Sequence, residues 1–378
     1  MVTIYGKYTN AVVYTTENEQ YAIDEYARKQ LQMLCDHPSA IGSKIRVMPD
    51  VHPGKVGTIG LTMTVGDSMM PNLVGVDIGC GMTLAKVKAR NIECQKLDTV
   101  IRDNVPVGGA VRKTSHKFSR MLELNKLCCY KAIDEPKAER SIGTLGGGNH
   151  FIEVDQDGEG ALYLVIHSGS RHLGMEVTEY YLKEGQKVSQ GKKQGHAPYD
   201  LTCLEGELLG DYLHDLGIVQ EFARLNREAM VDEIVRGMRW KVLDSYTCIH
   251  NYVDFLETVP ILRKGAISAK TGEKVIIPIN MRDGIILGTG LGNADWNCSA
   301  PHGSGRIYRR SEVKEYHTVS EFKKAMQGIY SICINKDTLD ESPFAYRKIE
   351  DILKVVGETI TVDQVIKPVY NFKAGGEK

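Results

Sequence analysis

Five short segments place histidine, cysteine or aspartate in turns, four of them rich in glycine. They are VGVDIGCGM (residues 74–82), GTLGGGNHFIE (143–153), VIHSGSR (165–171), IHNY (249–252) and SAPHGSGR (299–306). Glycine has no Cβ, so backbone at such turns can come close to a ligand. One turn of this kind is ordinary, but five are hard to obtain from packing alone. They point to one metal-centred active site assembled from distant parts of the chain. The candidate residues run from Asp77 to His302, and a domain boundary inside that range would split the site. The expectation is therefore a single large domain, residues 1–378, of class α+β, with mixed or antiparallel sheets flanked by helices.

The coarse element pattern agrees. Residues 19–36 show helical spacing (Tyr21, Ile23, Ala27, Leu31, Leu34), ended by His37–Pro38. Residues 44–90 read as short strands cut by Gly and Pro, and ALYLVIHSG as a strand running into a turn. Residues 175–190 and 217–243 read as helices, the second with Val219, Phe222, Leu225, Met230, Ile234 and Met238 along one stripe. GEKVIIPINM and GIILGTG read as paired strands. SEFKKAMQGIY reads as a short helix capped by Thr318 or Ser320, and SPFAYRKIEDILKVVG as another with Pro343 in its first turn. No internal repeat, low-complexity block or Pro/Ser-rich linker divides the 378 residues.

Net charge is −1, so no global field recruits nucleic acid, and an RNA or DNA partner needs a local basic patch. Candidates lie at Arg306, Arg309 and Arg310, and at Lys192 and Lys193, although charge runs are usually plain solvated surface. MVTIYGKYTN lacks the apolar segment of a signal peptide, and no stretch approaches a membrane span. The nine cysteines show no CxxC, so zinc ribbons and thioredoxin-like motifs are excluded, and a cytoplasmic chain with reduced thiols is expected. Cys35, Cys203 and Cys333 lie in apolar surroundings and read as core residues.

Asp77 and Cys80, spaced i, i+3 in DIGCG, can aim a carboxylate and a thiolate at one centre. His150, His167 and His250 add imidazoles, enough donors for one or two ions. The donors alone favour zinc or iron, while the carboxylate admits manganese. The plain alternative for each is a buried cysteine, a turn aspartate or a satisfied histidine. His302 differs, because Gly303, Ser304, Gly305 and Arg306 follow it in an anion cradle of backbone N–H groups. It can be a nucleophile toward phosphorus, a ligand or a phosphate-binding donor. Asn149 and Glu153 bracket His150 and can hydrogen-bond a nucleobase or orient the histidine. Arg171 could hold a second phosphate. GTLGGGN has no Walker lysine, so it is not a P-loop.

Together, PDVHPGKVGTIG, VGVDIGCGM, GTLGGGNHFIE, HSGSR, HNY, HGSGR, DESPFAYR and KPVYNFKAGG resemble the motifs of the RtcB family, the GTP- and manganese-dependent RNA-splicing ligases, from residue 49 to 376. The resemblance implies that Asp77, Cys80, His150, His167 and His250 bind one or two Mn(II) ions, with Cys80 as the bridge. It implies that His302 is guanylylated by GTP. It further implies that Asn149, Glu153, Lys373 and, more weakly matched, Tyr346 contact the guanylate, and that Arg171 and Arg306 lie near phosphates. The implied partners are RNAs bearing a 3′-phosphate or 2′,3′-cyclic phosphate and a 5′-hydroxyl, and an archease-type activator. Two positions depart from the family pattern: Asn280 in PINM stands where a nucleotide-contacting serine is common, and Arg309 replaces a serine after HGSGR. These leave the metal ligands and His302 untouched but bear on guanine reading and on RNA-end choice, in repair or in tRNA splicing. Two other readings compete: a metal-dependent phosphoesterase acting on RNA ends, and a non-catalytic RNA-binding relative.

Overall fold

Two sheets, set by where the apolar runs fall, carry the site between them. The computed structural model describes residues 1–15, 23–89, 91–191, 198–255 and 258–374. The first sheet has six strands in the order Val2–Tyr5, Asn10–Val13, Ile45–Pro53, Thr58–Thr64, Ile261–Lys264 and Asn251–Asp254. It is antiparallel except where Asn10–Val13 runs parallel to Ile45–Pro53. The second has seven antiparallel strands in the order Lys241–Ile249, Gly81–Lys88, Leu162–Ser168, Phe151–Gln156, Ile360–Lys373, Gly284–Gly290 and Lys274–Asn280. Its Leu162–Ser168 strand, LYLVIHS, is buried along its whole length, as expected for a central strand covered on both faces. Mixed sheets with segregated helices make this an α+β fold, as the element pattern indicated.

The register of the second sheet gathers the chemistry at one end. Gly81 pairs with both Ser168 and Ile249, so Cys80, His167 and His250 meet at neighbouring strand ends. Phe151 pairs with His167 and with Lys373, which adds His150 and Lys373 to the same row.

The 33-residue helix Gly206–Met238 ties the two cores together. Its Val219, Phe222 and Leu225 pack into the core under the first sheet, and Met230, Ile234 and Met238 into the core under the second. By the usual transfer scale, each such buried side chain contributes roughly 1.5–3 kcal/mol.

Several boundaries differ from the sequence reading. The long helix starts at Gly206 rather than 217, because Gly206, Gly210 and Gly217 weaken it without breaking it. It stops at Met238, where Arg239 turns left-handed (φ 58°), and residues 241–243 belong to a strand instead. The preceding helix, Arg171–Gly191, begins four residues before 175. Pro343 opens only a short 3-10 turn, Pro343–Ala345, and the helix proper is Ile349–Val356. Between them the buried Arg347 guanidinium donates to the carbonyls of Pro49 and Val51, which pulls the chain away from helical geometry. The first helix is Glu25–Cys35, capped by Asp24, while Tyr21 lies outside the described residues. Thr318 caps Val319–Ala325 in a reciprocal capping box with Glu321. Lys192, Lys193 and the last glycines of KAGG also lie outside the described residues. Cys35 and Cys333 are buried and Cys203 is partly so, and all nine cysteines are free. Among the described residues, no helix is long and apolar enough to cross a membrane.

Candidate metal and nucleotide site

The five predicted ligands converge as two donor sets that share one thiol: Cys80 with His167 and His250, and Cys80 with Asp77 and His150. Cys80 Sγ lies 3.4 Å from His167 Nε2 and 3.5 Å from His150 Nε2. His167 Nε2 is 3.4 Å from His250 Nε2, and His150 Nε2 is 3.0 Å from Asp77 Oδ2. Metal–donor bonds of about 2.0–2.3 Å at tetrahedral angles put neighbouring donors roughly 3.3–3.7 Å apart. The Cys80–histidine spacings fall in that window, so the residues fit a divalent ion.

The protonation states fit as well. Burial, reinforced by neighbouring imidazoles, holds His167 and His250 well below the ordinary histidine value, so both stay neutral and ready to ligate. Burial opposes ionisation of Asp77, but His150, Cys80 and Arg171 together outweigh it and hold the carboxyl below its usual range. Burial and then Asp77 push the Cys80 thiol well up. A bound cation reverses that second effect, because it is the larger local charge.

Neighbouring backbone orients the ligands. The Asn149 carbonyl lies 3.1 Å from His167 Nδ1, which turns Nε2 toward the cluster. His250 N donates to the Cys80 carbonyl at 2.8 Å. Ser170 N donates to Asp77 Oδ1, and the preceding Gly169 leaves no spare room: a Cβ there would stand 2.0 Å from that oxygen. Gly169→Ala must therefore displace the Asp77 carboxylate. We expect divalent-cation affinity to fall by about 10- to 100-fold, read by titration calorimetry with Mn(II). Gly158→Ala, where nothing lies within 4 Å, is the control and should leave affinity unchanged.

His302 stands beside this cluster, its ring centre 4.8 Å from that of His250. Its Nδ1 lies 2.7 Å from Oδ2 of Asp50, which also accepts from Gly303 N at 3.2 Å. Asp50 is fully buried in the Ile45–Pro53 strand, so its carboxylate claims the Nδ1 proton and leaves Nε2 as the lone-pair nitrogen. Gly305 makes this close seating possible: it has φ 77°, and a Cβ would come 2.7–3.1 Å from the Asp50 backbone.

A cavity of about 1070 Å³ opens from His302 and is lined by Asn149, Glu153, His167, His250, Asn280, Gly303, Ser304, Gly305, Arg306, Tyr346 and Lys373. Most predicted nucleotide-contacting residues are thus brought together. Arg171 is not among the lining residues, and its guanidinium donates instead to the Gly108 carbonyl at 2.6 Å. Asn280 reaches the wall but uses its side chain in a turn, accepting from Arg282 N and Asp283 N and donating to Asp283. Ser304 donates to the Ile279 carbonyl.

Sequence reasoning missed two hubs. One is Asp50. The other is Glu341, buried on the cavity wall, which pairs with Lys373 at 2.7 Å and Arg306 at 3.2 Å and accepts from Tyr346 at 2.6 Å. Burial would raise the Glu341 carboxyl, but Lys373, Arg310 and Arg306 bring it down to about 2. Asp50 lies in PDVHPG and Glu341 in DESPFAYR, and neither segment carries a local signal for a buried carboxylate. On the facing strand, burial raises the Glu153 carboxyl above its usual range, against a hydrogen bond from Asn371.

The family model described as "tRNA-splicing ligase RtcB" matches residues 30–132 and 129–374. The chain belongs to the RtcB family. The RNA-splicing ligase RtcB of Escherichia coli K12 is 30% identical, with 95% of this chain and 98% of the relative covered. RtcB2 of Escherichia coli ATCC 25922 is 28% identical over 99% of each chain. The tRNA-splicing ligase RtcB of Nanoarchaeum equitans is 26% identical, covering 82% of this chain and 84% of its own. This RtcB-family chain therefore aligns with the two Escherichia coli relatives over nearly their whole length, and the residues matched by the family model include every turn that supplies a donor.

Proposed function

We propose that this chain is an RNA ligase that joins 3′-phosphate or 2′,3′-cyclic phosphate ends to 5′-hydroxyl ends through a guanylylated His302, with GTP and Mn(II), in RNA repair or tRNA splicing. The observation that carries the reading is the seating of His302: Nδ1 held by a buried carboxylate, and the ring packed beside a five-donor cluster at the mouth of a nucleotide-sized cavity. Relatives named RNA-splicing and tRNA-splicing ligases support it.

In this reading His302 Nε2 attacks the α-phosphorus of GTP. An N–P bond forms, the bond to the bridging oxygen breaks and pyrophosphate leaves. Water first opens a 2′,3′-cyclic phosphate to the 3′-phosphate; an oxygen of that phosphate then takes the guanylyl group from His302, and the 5′-hydroxyl of the second RNA attacks the activated 3′-phosphorus, losing its proton to solvent and expelling GMP. A divalent cation held by Asp77, Cys80, His150, His167 and His250 would supply neutralisation of phosphate charge. Asp50 keeps the proton on Nδ1 throughout. Glu153 offers a carboxyl to the N–H edge of guanine, and Asn149 and Tyr346 flank the base. Lys373, Arg306 and the N–H groups of Gly303, Ser304 and Gly305 face the phosphates. Asn280, engaged in its own turn, shapes the rim. Arg171 acts at a distance by bracing the loop, and an archease-type protein would act on the loaded or unloaded state of His302.

The test is incubation with α-labelled GTP and Mn(II), followed by peptide mapping. Acid-labile label on the peptide that contains His302 is expected. A protein that takes no label yet removes phosphate from RNA 3′ ends is a metallophosphoesterase, and that result overturns the ligase.

A further inference from the structure

A second cluster of soft and hard donors lies elsewhere on the long helix and shares no residue with the site above. Cys128, His214 and Asp215 bring one ligand atom each within 4.8 Å of one another. Cys128 Sγ is 3.7 Å from His214 Nδ1, which is 3.1 Å from Asp215 Oδ1. The thiol comes from the stretch between two 3-10 turns, Leu124–Lys126 and Tyr130–Ala132. The imidazole and the carboxylate come from the helix Gly206–Met238.

From this geometry we infer that Cys128, His214 and Asp215 form a surface site for a zinc-class divalent cation, with one coordination position open to solvent. Three features carry it. The thiol–imidazole distance is close to the roughly 3.6 Å that zinc–sulfur and zinc–nitrogen bonds subtend at a tetrahedral angle. Asp215 is fully buried and fixed by N–H groups of Cys128 and Cys129 and by the Tyr181 hydroxyl, an outer shell of the kind that holds ligating carboxylates in place. The site also carries uncompensated negative charge. Asp211, one turn earlier, adds a second carboxylate beside the thiol, and among the described residues neither Asp211 nor Asp215 has a Lys or Arg ion-pair partner. A bound cation displaces the thiol proton to solvent and lets Cys128 ligate as the thiolate, with neutral His214 ligating through Nδ1. Mixed S, N and O donors favour zinc over magnesium or calcium. Ligation clips residues 117–132 onto the helix that spans both cores.

Cys128 and His214 are exposed, so the site can be read without disturbing the fold. The metal-free full-length protein is alkylated with iodoacetamide with and without Zn(II), and each cysteine peptide is followed separately by mass spectrometry. Zinc should slow Cys128 alkylation by about tenfold or more. In His214→Ala, and separately in His214→Gln, that protection should vanish, while protection of the Cys80 peptide and guanylylation by GTP persist. Zinc that leaves the Cys128 rate unchanged in wild type overturns the site, as does protection that survives both His214 variants.

Discussion

Asp50→Asn should lower single-turnover guanylylation by about 10²- to 10³-fold while leaving divalent-cation binding intact, and His302→Ala should abolish it. The first number comes from a charge argument. The carboxylate Oδ2 of Asp50 accepts from His302 Nδ1 at 2.7 Å and from Gly303 N at 3.2 Å. Both bonds fall on the same oxygen and Gly303 can only donate, so an asparagine would keep its carbonyl oxygen there and preserve the Nδ1 proton. Its NH₂ would take the place of Oδ1. What the substitution removes is the negative charge, worth roughly 3 kcal/mol to a positive ring about 5 Å away at an effective dielectric constant of about 20. Asp50 Oδ1 is buried without a hydrogen-bond partner among the described residues, so its negative charge stays undiluted next to the ring that becomes positive on guanylylation. A labelling burst of wild-type rate in Asp50→Asn would sink the charge argument, and a residual burst in His302→Ala would move the nucleophile elsewhere.

Most of the proposed ligands were legible in the sequence because they sit in turns whose glycines announce close packing, while His250 stood out only beside Asn251 in IHNY. Asp77, Cys80, His150, His167, His250 and His302 stand out from their surroundings on chemistry alone. Asp50 does not. It lies inside IRVMPDVHP, where the apolar run predicts a buried strand and gives no reason for a carboxylate. Its role exists only once the strand brings it against residue 302. Glu341 was hidden in the same way, since four cationic or hydroxyl partners reach it from residues 306, 310, 346 and 373. Arg171 shows the converse. An arginine at the end of HSGSR reads as a phosphate binder, but its left-handed backbone (φ 55°) aims the guanidinium into the loop around Gly108. The helix 217–243 was extended too far for a related reason. Its end is set by Arg239 rather than by glycine, and only the pairing of Lys241–Ile249 with Gly81–Lys88 shows that the chain has changed structure.

The largest stability loss is expected from two polar residues that the apolar stripe of the long helix concealed. Asn226 and Arg227 are fully buried. Asn226 Oδ1 accepts from Gly143 N and Thr144 N, and its Nδ2 donates to Ser168 Oγ and the Gly169 carbonyl. Arg227 donates to the carbonyls of Gly79 and Ser168 at 2.8 and 2.9 Å and to the hydroxyls of Thr83 and Thr247. Between them they hold the turns that carry Asp77, Cys80, His150 and His167. Those turns are rich in glycine and short of regular pairing, so their backbone groups have few other partners. Burial lowers Arg227 to about 10, opposed by Cys80 and Asp77, so it remains charged at neutral pH and offsets the negative side of the cluster. Arg227→Met preserves volume but leaves two buried carbonyls unmet, and we expect a loss of about 3–5 kcal/mol in chemical denaturation of the metal-free protein. Arg227→Lys should recover little of it, because a single ammonium cannot span carbonyls and hydroxyls placed for a planar fork. Asn226→Asp keeps both acceptor contacts and loses both donor contacts, so it should fall between wild type and Asn226→Leu. A loss below about 1 kcal/mol in Arg227→Met would mean that the turns hold their shape unaided, and the long helix would then be only a packing element beneath the site.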